Sequence, residues 1–140
     1  MHKTYTLFTV LFCFCACLLN AQECCSIAAI YYWKAKPGKL EAYNRYIREV
    51  AAPIDAEAQK QGAFVSVTTY VSHKADSPWT HMRIFIVKDK AQLENLSSRL
   101  DAAAARLEPE EAKRKARSEY AATLRDPAGQ EVVDILHDRK

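Results

Sequence analysis

Residues 79–87 read WTHMRIFIV, and the run alternates. Thr80, Met82, Ile84 and Ile86 point one way; Trp79, His81, Arg83, Phe85 and Val87 point the other. Side chains on a strand alternate between its faces, so a period of two marks a strand whose faces meet different surroundings. The Thr80/Met82/Ile84/Ile86 face reads as core. The other carries a His, an Arg and two aromatics, an unusual load for a central strand, and is expected to be the functional surface.

A second strand, residues 63–72 (AFVSVTTYVS), precedes it across a polar link of hairpin length, residues 73–78. Val65, Val67, Thr69 and Val71 form its apolar face; Phe64, Ser66, Thr68, Tyr70 and Ser72 form a mixed one. The first strand covers residues 26–34 (SIAAIYYWK) and ends in Lys36-Pro37-Gly38-Lys39, because Pro cannot continue a central ladder. Leu40, Tyr43, Ile47, Val50 and Ile54 then recur at steps of three and four, one face of an amphipathic helix. Pro53 should kink that helix, and Gly62 should stop it.

After the central strand, Asp89 and Gln92 have the spacing of a capping box. They open a helix with the stripe Leu93, Leu96, Leu100, Ala103, Leu107. Pro109 suits the first turn of a third helix, carrying Ala112, Ala116, Tyr120, Thr123 and Leu124. Asp126-Pro127-Ala128-Gly129 reads as a turn, and residues 131–137 (EVVDILH) as the last strand. The order β-α-β-β-α-(α)-β predicts an α+β fold, an open sheet with helices on one face in the ferredoxin-like arrangement. The uncovered sheet face, lined by aromatics, is best buried against a second copy, which predicts a homodimer.

The first residues belong to a different category. A short basic start, an uncharged apolar stretch over residues 4–19 and Ala21 before Gln22 form a secretory signal-peptide pattern, with cleavage expected after Ala21. The stretch is short for a membrane span, so no membrane association is expected after cleavage. A lipoprotein anchored at Cys17 is the alternative. Residues 22–140 then form a single secreted or periplasmic domain. Of five cysteines, Cys24 and Cys25 remain. They are adjacent and so unsuited to a normal disulfide with each other; they either pair between chains or are buried thiols. No ligand spacing implies a metal site. The net charge of +3 comes with interspersed signs, and the basic run 113–117 has Glu110, Glu111 and Glu119 around it, so nothing points to nucleic acid. With three glycines, phosphate-cradling loops are not expected.

The segment IYYWKAKPGKLEAYNRYI, residues 30–47, resembles the opening of dimeric α/β-barrel proteins. That superfamily includes antibiotic-biosynthesis-type monooxygenases, EthD-like, NIPSNAP-like and stress-responsive barrel proteins, and the likeness is to its secreted bacterial members. The hairpin 63–87 and the closing strand after a helical insert agree in order. The resemblance implies a ferredoxin-like protomer, two of which enclose a barrel. Activities in the superfamily range from cofactor-free oxygenation and isomerisation to none, so fold constrains function weakly. The monooxygenases often place Asn, Trp and His around a substrate; here Trp79 and His81 are the nearest match, while Asn44 and Asn95 lie on helices.

The candidate ligand-binding set is Ser66, Thr68, Tyr70, Trp79, His81, Arg83 and Phe85, with His81, Arg83 and Tyr70 as candidate catalytic groups. His81 and Arg83 share one face, so they form either a base beside an anion-binding guanidinium or a dimer contact paired to the partner's carboxylates. Asp134 either pairs with Arg83 or simply sits at a sheet edge. The expected ligand is a small apolar or aromatic molecule, handled without a cofactor, possible turnover being oxygenase- or isomerase-like. The alternative is a non-catalytic dimerisation module. The helical insert 108–124 either covers the barrel mouth or extends the dimer contact.

Overall fold

The computed structural model describes residues 26–136. The signal-peptide pattern, Cys17, Cys24, Cys25 and His137 lie outside the described residues. Strand β1 (Ser26–Ala35) leads through the Pro37-Gly38 turn to helix α1 (Leu40–Tyr46). A π-helical turn, Ile47–Ala51, then passes into α2 (Ala52–Lys60). The hairpin strands are β2 (Ser66–Val71) and β3 (His81–Val87). Helices α3 (Lys90–Leu107) and α4 (Glu111–Leu124) follow, and β4 (Arg125–Ile135) closes the chain. The sheet order is β2-β3-β1-β4, antiparallel throughout. This is the ferredoxin-like arrangement expected from the element order.

Local chemistry accounts for most of the boundaries. Asp89 caps α3, its side chain accepting from Gln92 N at 2.7 Å, while Gln92 Oε1 accepts from Lys88 N at 2.9 Å. Gly62 ends α2 with φ +72°, a conformation that side chains resist. The expected kink at Pro53 takes the form of the π turn just before it. Pro lacks an N–H and clashes with the preceding turn, and a wider turn absorbs both problems.

The register corrects the assignment of faces. Ile27, Ala29, Tyr31 and Trp33 pair with Val87, Phe85, Arg83 and His81, and Val67 pairs with Phe85. These residues face the helices: Phe85, Val87, Ala29, Leu96 and Ala103 are buried together in the main core, with Phe64 and Ala63 entering just before β2. The His81/Arg83/Phe85 face is therefore the core face. The Met82/Ile84/Ile86 face, expected to be core, is the uncovered side of the sheet, together with Ile30, Tyr32, Thr68 and Tyr70. On β2 the expected apolar face is the correct one. Burying a side chain such as Leu96 or Val87 contributes roughly 1.5–3 kcal/mol.

The last strand also departs from expectation. No turn forms at 126–129; α4 runs directly into β4, and these residues pair with β1. Trp33 pairs with Pro127 and Tyr32 with Gly129, so Ala128 is the extra residue of a bulge. Pro127 is tolerated because β4 is an edge strand. The α4 stripe differs from the one predicted: of its residues only Leu124 is buried, beside Ala121, while Ala112, Ala116, Tyr120 and Thr123 are exposed. The insert packs beside α1 of its own chain.

Candidate functional site

Between the sheet and its helices lies a cleft of about 620 Å³. Its floor is Trp33 from β1, Arg83 from β3, and Arg125 and Pro127 from β4. Tyr43, Tyr46, Ile47 and Asp55 wall one side from α1, the π turn and α2; Leu100, Ala104, Arg117 and Ala121 wall the other from α3 and α4. The π turn faces the cleft through Ile47 and Ala51. α1 is set in place by the Gly38 turn, with Lys39 N donating to Lys36 O at 2.9 Å and Tyr43 N to Lys39 O at 2.8 Å. α4 is held at its end by Lys36 N donating to Leu124 O at 2.9 Å. That contact delivers Arg125 opposite Ala35, on the helix side of the sheet.

His81 is fully buried. Its Nε2 lies 2.8 Å from Asn44 Oδ1, and its Nδ1 lies 2.9 Å from Thr80 Oγ1. Asn44 Nδ2 donates to Glu41 Oε1 at 3.4 Å, so Oδ1 is the acceptor facing the imidazole. Nε2–H therefore donates to Asn44, while Nδ1 faces a Thr80 hydroxyl that accepts from Ala35 N at 2.7 Å and donates to Trp33 O at 3.2 Å. The ring packs edge-on against Tyr43, 4.4 Å between centroids. Burial, with the Arg125 charge adding to it, pulls the His81 pKa down to about 4.

Arg83 binds the carboxylate of Asp55 from α2, and its Nε donates to Thr69 Oγ1 at 3.3 Å. The two side chains are 14% and 10% exposed. Burial pushes the Asp55 pKa up, against the opposing pull of Arg83. The carboxylate partner thus comes from the same chain. It is neither Asp134, which pairs with Ile27 on the edge strand, nor a residue of a second subunit.

Arg125 lies flat on Trp33, its guanidinium carbon 3.3 Å from the ring centroid, and 5.3 Å from the Tyr43 centroid. Its Nε and Nη1 are buried and have no hydrogen-bond partner. Burial lowers its pKa, while the neighbouring phenols of Tyr43 and Tyr46 oppose that fall. Burial raises Tyr43 to about 12, Arg125 and Arg83 pulling the other way.

The structure divides the sequence-predicted set between the two faces of the sheet. His81, Arg83 and Phe85 point to the helices; Ser66, Thr68 and Tyr70 pair with Ile86, Ile84 and Met82 on the uncovered side. Trp79 precedes β3 and packs against Tyr32 on that side, 5.9 Å between centroids. Tyr70 therefore does not approach His81 or Arg83. Of the set, Arg83 alone lines the cleft. Sequence reasoning set Asn44 aside as a helix residue, left the face of Trp33 open for want of the strand register, and missed Asp55 and Arg125. Tyr43 and Ile54, on the predicted apolar stripe, were the available signal for Asn44 and Asp55, each one residue further along. Arg125 had no signal, because its partners depend on strand register.

No protein-family model matches the chain, and no curated protein matches it. Solved structures do. The chain is similar in fold to HapK from Hahella chejuensis. The TM-score is 0.55 at 10% identity, over 81% of this chain and 96% of that one. An EthD family protein from Bacillus halodurans aligns with a TM-score of 0.48 at 14% identity, over 80% and 99%. At such identity the likeness to HapK speaks for the ferredoxin-like α+β fold, and the residues of the cleft must speak for function.

Proposed function

We propose that this protein binds a small, largely apolar or aromatic molecule in the cleft between its sheet and helices. The observation that carries this reading is the cleft itself: about 620 Å³, with Trp33, Tyr43 and Tyr46 in its lining and a few polar groups converging on it. Ligand sites are commonly concave, mostly apolar and roughly 300–1,000 Å³ in size. Binding without turnover is the reading the titrating groups favour. A general base works best with a pKa near the working pH. His81, held near 4, has both ring nitrogens engaged and lies behind Tyr43; Asp55 is tied to Arg83. In this reading His81 is a positioning residue that fixes the Tyr43 wall.

The protein works as an exported homodimer. Export rests on the signal-peptide pattern of residues 1–21. Self-association rests on the uncovered sheet face, where Ile30, Met82, Ile84 and Ile86 lie together with Tyr32 and Tyr70, Tyr70 being 47% exposed. Ser66, Thr68 and Trp79 belong to that subunit contact.

The test uses a neutral apolar probe, N-phenylnaphthylamine, whose emission rises in a dry pocket. The wild-type protein should raise it. Ala104→Trp, which fills the cleft from α3, should abolish the rise while the thermal melt shows a folded protein. No rise with the wild type, or an unchanged rise with the folded variant, would sink the cleft as the binding site.

A further inference from the structure

We propose that the molecule taken by this cleft is an organic anion, a flat apolar body bearing a carboxylate, and that Arg125 receives the charge. This rests on the cleft being the binding site. Four guanidinium groups line it, from Arg83, Arg114, Arg117 and Arg125, against the two carboxylates of Asp55 and Asp101. The first pair cancels, because Arg83 and Asp55 bind each other. Arg114 spends its Nη1 on the carbonyl oxygens of Glu108 and Pro109, at 2.9 and 2.7 Å, which leaves its charge uncompensated. Arg117 is half-buried and makes no hydrogen bond or ion pair among the described residues. Asp126, the acid nearest in sequence to Arg125, pairs with Lys36 at 3.5 Å instead. The cleft therefore has more cations than anions, and Arg125 among them has no carboxylate.

The geometry of Arg125 separates an anion site from simple packing. Stacking on Trp33 engages the face of the guanidinium, 3.3 Å from the ring. The donors point outward in the guanidinium plane, and two of them, Nε and Nη1, are buried without acceptors. A buried donor with no acceptor loses its hydration and regains nothing, so such groups are rare unless they serve a ligand or are met by water. A carboxylate meets two neighbouring donors of a guanidinium, Nε with Nη2 or Nη1 with Nη2, so it would supply one of the missing acceptors together with the missing charge. Stacking tolerates sliding within the plane, so Arg125 can meet a ligand without leaving Trp33. The aromatic edges of Tyr43 and Tyr46 and the apolar walls of Ile47 and Leu100 then fit a flat body behind the carboxylate. Arg117 on α4 serves as the second, outer cation.

The test compares naphthoate with naphthamide, which has the same shape and no charge, by titration calorimetry of the purified protein at pH 7 and low salt. Naphthoate should bind on the order of tenfold more tightly, the scale of one charge-assisted hydrogen-bonded contact. Arg125→Gln should erase that preference, Arg117→Gln should reduce it by a smaller factor, and Arg125→Lys should keep part of it. If Arg125→Gln does not fold, the wild-type preference together with the losses in Arg125→Lys and Arg117→Gln decides. Equal binding of both compounds to the wild type would overturn the anion assignment while leaving the cleft as a binding site. Binding of neither would overturn the cleft reading and this one with it. A preference untouched by every one of these substitutions would place the anion elsewhere and overturn the role of Arg125.

Discussion

On the helix side of the sheet, Arg83, His81 and Arg125 lie among Asp55, Asn44, Tyr43 and Trp33. On the other side Ile30, Met82, Ile84 and Ile86 stand with Tyr32 and Tyr70, and no helix among the described residues covers them. The polar residues of β3 are thus inside and its aliphatic residues face out. This inversion works because the helices carry the complementary groups. Asn44 reaches back from α1 to His81 and Asp55 from α2 to Arg83, so the buried polar groups of β3 are paired as burial demands. The aliphatic side has no such need for internal partners, and it leaves an apolar surface free for another molecule. A face is therefore core or surface according to what lies across from it, and its own polarity is an unreliable guide.

The largest effect should come from breaking the pairing on the helix side. Arg83→Ala leaves the Asp55 carboxylate buried without its cation. Loss of one member of a buried ion pair costs roughly 3–5 kcal/mol, and the urea midpoint should fall accordingly. The double variant Arg83→Met/Asp55→Leu should recover most of that loss, because it removes both charges together. If Arg83→Ala unfolds at the wild-type midpoint, the pair is solvated and the helix side is not the protected side.

Next in size is the pH dependence carried by His81. Its pKa is about 4 in the folded chain against an ordinary value of 6.5. Between these values the unfolded chain takes up a proton that the folded chain refuses. The stabilising contribution is therefore complete above pH 6.5, falls as the pH drops, and is gone near pH 4. That difference corresponds to roughly 3 kcal/mol. Urea unfolding followed from pH 7 to pH 5 should show a falling midpoint, and His81→Gln should flatten that fall. A wild-type midpoint that holds constant down to pH 5 would mean that the imidazole titrates as it does in water.

Much of the fold was legible because its signals are local. Asp89 with Gln92, Gly62 after α2, and the stripe Leu93, Leu96, Leu100 each report on a few neighbouring residues, and each stands where expected. The alternation on β2 also gave its faces correctly, since Val67 is apolar and packs on the core. On β3 the same reasoning failed because Asn44 and Asp55 lie 37 and 28 residues away from the groups they satisfy. The Asp126–Gly129 stretch misled for the opposite reason. Its local turn chemistry is genuine, but an edge strand accepts Pro127 and a bulge accommodates Ala128. The cleft was not legible at all. It requires Ala35 to pair with Arg125, and a one-residue slip would turn Arg125 to the other face of the sheet.

The smallest effect on the single chain, and the sharpest test of the comparison, belongs to the uncovered face. Ile84 is half-buried there, between Ile30 and Thr68 on the flanking strands. Ile84→Glu adds a charge beside water, so it should lower the stability of the single chain by only about 1 kcal/mol, the scale of an ordinary surface-proximal change. In a dimer packed through this face the same charge would be desolvated with no partner in either copy, a cost far larger than a rim contact can absorb. Sedimentation velocity should then show the wild type as a dimer and Ile84→Glu as a folded monomer. The corresponding change on the other side, Phe85→Glu, should leave no folded protein to sediment, because Phe85 is only 3% exposed within one chain. If Ile84→Glu instead unfolds the chain, that face is covered from within and the two sides of the sheet are alike. If it leaves a dimer intact, the second copy docks elsewhere, and the exposed aliphatic residues of β3 answer to some other partner.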